Sequence, residues 1–61
     1  MTSGQRERIS EKTKMIEASA AQAGRLARSM DDPANHIEIE LQNIKMFLDL
    51  IEEILYEEGE E

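Results

Sequence analysis

The sequence predicts an all-α fold: an antiparallel two-helix hairpin of coiled-coil type, completed to a four-helix bundle by homodimerisation or by a helical partner. Three observations lead there. The 61-residue chain keeps its only proline in one compact corner, MDDPAN at 30–35. On each side of that corner, apolar and small residues recur in alternating steps of four and three, the heptad signature of left-handed helix packing. The stretch IKMFLDLIEEIL, residues 44–55, is too apolar for one helical stripe and too acidic for a buried strand.

The first helix is expected over residues 5–30. Thr2 or Ser3 caps it, with Gln5 following Thr2 at capping-box spacing. The turn occupies 31–32, and the second helix spans 33–57. Pro33 suits a first helical position because the N–H it lacks would be unpaired there anyway. Asp32 is then the expected N-cap, its carboxylate accepting from free N–H groups and complementing the helix dipole. A link this short makes the helices antiparallel neighbours. Residues 58–61 form an acidic tail. All 61 residues belong to one hairpin.

The seam in the second helix reads Ile37, Leu41, Ile44, Leu48, Ile51, Leu55, and in the first Ile9, Thr13, Ile16, Ala20, Ala23, Ala27. Folded at Asp31–Asp32, Ala27 meets Ile37, Ala23 meets Leu41, Ala20 meets Ile44, Ile16 meets Leu48, Thr13 meets Ile51 and Ile9 meets Leu55. One register serves every layer, and small residues near the turn face large ones, which fills volume at close approach. The same register sets Arg6 beside Glu58.

One hairpin leaves this grease uncovered. At about 100° per residue, the apolar positions of the second helix sweep roughly 220°, against the ~100° of an ordinary amphipathic helix. An Ala-rich first helix covers part of that arc. The remainder is a ridge of Ile39, Met46, Phe47, Leu50 and Ile54, expected to be the partner-binding surface. Leu at a positions with Ile at d also favours assemblies larger than a two-stranded coil. A core of this size rarely supplies more than about 3–5 kcal/mol, so small chains recruit a disulfide, a metal or another subunit. There is no Cys and a single His. Another protein surface is what remains.

Charge narrows the function. Residues 1–30 carry six Lys/Arg against three Asp/Glu, giving +3; residues 31–61 carry one against eleven, giving −10. The halves attract each other, and the acidic half disfavours nucleic acid and anionic membrane. Arg6, Arg8, Lys12, Lys14, Arg25 and Arg28 invite an RNA reading, but Glu7, Glu11 and Glu17 interrupt them and no aromatic stands on that helix. His36 and Glu40 make an i, i+4 pair too small for a metal site. No paired carboxylates, phosphate loop or catalytic triad exists. No catalytic, cofactor-binding or metal-ligating residue is expected, and neither is enzymatic activity. The first 24 residues lack a signal-like apolar run and nothing approaches membrane-spanning length, so the cytoplasm is the expected location, without membrane insertion.

The corner DDPANH followed by IEIELQNIKMFLDLIEEILY resembles the small helical-hairpin co-chaperones that hold the needle subunit of type III secretion systems. The likeness covers residues 30–56. Those proteins often show Tyr where this chain has His36, and the first helix adds no matching motif. The resemblance implies a complex with a larger helical chaperone and an aggregation-prone client. Two readings stay open. One is a non-enzymatic adaptor or co-chaperone binding a helical partner through the ridge. The other is a homodimeric four-helix-bundle regulator, binding RNA through the basic residues of the first helix.

Overall fold

Thr2 starts the first helix and shows why it begins where it does. Its hydroxyl accepts from the Gln5 backbone N–H at 3.1 Å, and the Thr2 N–H donates to Gln5 Oε1 at 2.8 Å, a complete capping box. The structure, a computed structural model, describes residues 1–57. Helix α1 runs Ser3–Ser29 and helix α2 Ala34–Leu55, packed side by side as an antiparallel hairpin. The acidic tail, with the expected Arg6–Glu58 neighbours, lies outside the described residues.

The corner differs in detail from its sequence reading. Met30 closes α1, donating its N–H to the Leu26 carbonyl at 3.1 Å. Pro33 is the N-cap of α2 rather than its first residue, and its carbonyl accepts the Ile37 N–H at 2.8 Å. Asp32 therefore stands outside the helix and caps nothing: with φ −88° and ψ 1°, Pro33 already turns the chain toward helical geometry. At the far end α2 stops at Leu55 and Tyr56 caps it, donating to the Glu52 carbonyl at 3.2 Å.

The hairpin is one layer thick. Its Cα extents are 51 × 14 × 7 Å, and its radius of gyration is 14.5 Å. A compact chain of this length would have roughly 10–11 Å. Among the described residues only Ile54, 5% exposed, and Gln5, 4% exposed, are buried. Below them runs a half-buried stripe: Ile9, Lys12, Ile16, Ser19, Ala23 and Leu26 on α1, against Ile37, Glu40, Ile44, Phe47, Ile51 and Ile54 on α2.

That stripe corrects the expected seam. Its period holds, and Ile9, Ile16, Ala23, Ile37, Ile44 and Ile51 are where they were placed. The other half of each helix's seam is one residue earlier. Lys12, Ser19 and Leu26 replace Thr13, Ala20 and Ala27, while Glu40, Phe47 and Ile54 replace Leu41, Leu48 and Leu55. Both helices are rotated about their axes toward the side holding Phe47 and Ile54. Contacts at the open end hold this rotation, because Gln5 and Arg8 reach α2 only from that side. Thr13, expected inside the seam, is exposed and bonds back to the Ile9 carbonyl at 2.9 Å.

Candidate interaction surface

The open end of the hairpin is tied by one side chain. Gln5 Nε2 donates to the carbonyls of Ile54 and Glu57, each at 3.3 Å, while its Oε1 accepts from Thr2. The last carbonyls of a helix have no partner within it. Gln5 thus serves the start of α1 and the end of α2 together, which explains why an amide is the most buried residue described. Beside it Arg8 grips Glu57 through two bonds, Nη2 to Oε1 at 2.6 Å and Nη1 to Oε2 at 3.0 Å. That hydrogen bond holds the Glu57 carboxyl below its ordinary range and the Arg8 guanidinium above its own. Both groups face solvent, so the pair orients the helix ends more than it stabilises them.

Rotation of the seam leaves apolar residues on both flanks of α2 instead of one. On one flank Leu41, Leu48 and Leu55 are 54%, 52% and 51% exposed, at heptad spacing. On the other, Ile39 and Met46 are exposed, with Leu50 half-buried behind them. Of the ridge expected from sequence, Ile39 and Met46 lie open, Phe47 and Leu50 are half-buried, and Ile54 is sealed against α1. Ile54 is therefore part of the hairpin's own seam. The displaced residues Leu41, Leu48 and Leu55 are surface instead.

Helix geometry assigns each flank to a broad face of the hairpin. Antiparallel neighbours are related by a two-fold axis normal to that face, so residues rotated in the same sense from each contact stripe share it. Leu41, Leu48 and Leu55 then share the first face with Thr13, Ala20 and Ala27, a row of large side chains beside a row of small ones. The second face carries Ile39, Met46 and Leu50 with Met15. Arg8 and Glu57 fall on this second face by the same rule, and they are bonded there.

A shallow, open depression of about 330 Å³ lies on the outer side of the leucine row, lined by Glu38, Leu41, Gln42, Ile44, Lys45 and Leu48. His36 is exposed and Glu40 half-buried in the seam; among the described residues no three His, Asp or Glu side chains gather as metal ligands. Of the basic residues of α1, Arg8 is held by Glu57, and Arg25 donates to Gln22 Oε1 at 2.7 and 3.2 Å. No described helix is long and apolar enough to cross a membrane.

Two features of this surface are not visible in the sequence. The Thr2–Gln5 spacing marks a cap, but nothing marks the second reach of Gln5 to α2. The heptads identify Leu41, Leu48 and Leu55 as apolar positions without saying which neighbour they face. Comparison with protein-family models, with curated proteins and with solved structures finds no match to this chain.

Proposed function

We propose that the chain is a non-enzymatic protein-interaction module, a small adaptor of the co-chaperone kind. It docks a helical partner on the second face, through Ile39 and Met46 with Leu50 behind them. One observation carries the reading: large aliphatic side chains stay exposed on α2 although the stripe facing α1 is already occupied. Soluble chains rarely keep such a patch open without a use for it. An unbranched methionine at its centre suits a surface that adapts to its partner. The likeness of residues 30–56 to hairpin co-chaperones of secretion needle subunits agrees with an aggregation-prone helical client.

The test uses residues the hairpin does not need. Phe47 is half-buried in the seam, so an acid there would disturb the fold itself. Met46→Asp and Ile39→Asp alter only exposed positions. A photo-reactive residue at 46, irradiated in cells, should give a discrete adduct with one protein, identified by mass spectrometry. Adding Ile39→Asp should reduce that adduct at least tenfold, with helicity by circular dichroism unchanged. An adduct indifferent to Ile39→Asp would sink the proposal.

A further inference from the structure

The first face, with its leucine row, belongs to a different neighbour, and we infer that this neighbour is a second copy of the chain. Two hairpins stack by this face, each setting Leu41, Leu48 and Leu55 over the small row Thr13, Ala20 and Ala27 of the other, with both turns at the same end.

Area supports a second copy. The chain exposes 4795 Å² at a mass of 7.0 kDa. A compact monomer of that mass exposes about 4000 Å². The surplus, roughly 700–800 Å², matches the ~800 Å² that each side contributes to a standard interface.

Shape supports it as well. Large side chains at heptad spacing on one helix need small ones opposite, so that layers interdigitate without voids. Each hairpin supplies both rows. A two-fold axis parallel to the helices places α2 of one copy over α1 of the other, and large meets small twice over. The perpendicular two-fold would stack leucines on leucines and alanines on alanines.

Charge chooses between the same two arrangements. Flanking the first face, one position beyond the contact stripe, are Glu17 on α1 and Glu38, Lys45 and Glu52 on α2. The contacts of Gln5 with Ile54 and Glu57, and of Arg8 with Glu57, set the relative height of the helices. At about 1.5 Å per residue from there, Glu17 lies level with Lys45. With the axis parallel to the helices, Lys45 faces Glu17 of the other copy, a pair of opposite sign that the two-fold repeats. With the perpendicular axis at this height, Lys45 meets Lys45, Glu17 meets Glu17 and Glu38 meets Glu52. Every pair is then of like sign, so the alternative is disfavoured at each position. The lone cation of α2 sits where the acidic residue of α1 needs it.

This assembly does not depend on the proposed client, which would dock on the faces left outside. The test uses the full chain. Sedimentation velocity over a hundredfold concentration range should find a dimer of about 14 kDa, and Leu48→Lys should raise its dissociation constant at least 100-fold while helicity persists. A well-folded 7.0 kDa monomer throughout would overturn the dimer. Lys45→Glu should weaken the dimer about tenfold, and Glu17→Lys added to it should restore wild-type affinity. Failure of that rescue would overturn the charge-set arrangement. The chain contains no cysteine, so Asp31→Cys accepts a single spin label. Two turns at one end give a label–label distance under about 30 Å; turns at opposite ends of two hairpins 51 Å long give more than about 40 Å. The longer distance would overturn the parallel stacking even if a dimer forms.

Discussion

Glu57 illustrates how a single exposed residue can carry pH dependence. Its carboxyl is held below its ordinary value of 4.5 by the hydrogen bond from Arg8. A group whose folded value is depressed stabilises the fold above the unfolded value and loses that contribution as pH falls through the folded one. The Arg8–Glu57 pair is thus fully effective above about 4.5 and fades in more acidic solution. Thermal melts of wild type and Glu57→Gln should differ modestly at pH 7 and converge as pH falls well below 4.5, the wild type losing more on acidification. A gap that is constant with pH would mean the carboxylate charge plays no part. Gln5, its neighbour, has no titration of its own, but its amide adds a smaller hydrogen-bonding contribution to the lowering of Glu57.

At the scale of the element, α1 is a weak helix in one place. Gly24 sits mid-helix with ordinary negative φ, so its freedom serves no turn. A Cβ added there would meet only the Arg28 guanidinium at 3.5 Å, ordinary contact with the far end of a flexible side chain. Gly24→Ala should raise stability by about 0.5–1 kcal/mol, read from urea unfolding followed at 222 nm. A loss instead would mean the space over Gly24 is occupied. The helices themselves, their antiparallel order and their heptad period were legible in the residues, because capping chemistry, a proline corner and apolar spacing are local signals. The rotation of each helix was not. An apolar arc of roughly 220° is satisfied by α1 at any of several angles, and periodicity is blind to that choice. Long-range contacts decide it: Gln5 to Ile54 and Arg8 to Glu57 hold the helices so that Phe47 and Ile54 turn inward. The same choice of angle sets the candidate surface, so Ile39 and Met46 are exposed as the sequence reading placed them, while Ile54 and the leucine row exchanged places.

For the whole molecule, thinness is the governing fact. A sheet of two helices has two broad faces and no interior, so the seam alone must hold the hairpin. Its turn-proximal half mixes Leu26, Ile37 and Ile44 with half-buried Ser19, Gln22, Glu40 and Asn43, while Ile9, Ile16, Phe47, Ile51 and the buried Ile54 lie in the half remote from the turn. The partners proposed for the broad faces would therefore complete the fold, and their removal should loosen the turn-proximal half first.

The clasp at the open end has a kinetic consequence. Gln5 and Ile54 stand 49 positions apart, and the chain gains its best-buried contact only after closing nearly its full length. A hairpin that zippers from its turn would gain less over its first layers, where Ser19, Ala23 and Glu40 dilute the apolar seam. Folding should instead be nucleated at the remote end, with the turn acting as a passive tether. Loop-closure cost grows only logarithmically, about 0.6 kcal/mol per doubling of length. Four glycines inserted between Asp31 and Asp32 should then slow folding less than twofold in stopped-flow refolding, whereas Ile54→Val should slow it nearly in proportion to the stability lost. The opposite ranking would place the first structure at the corner.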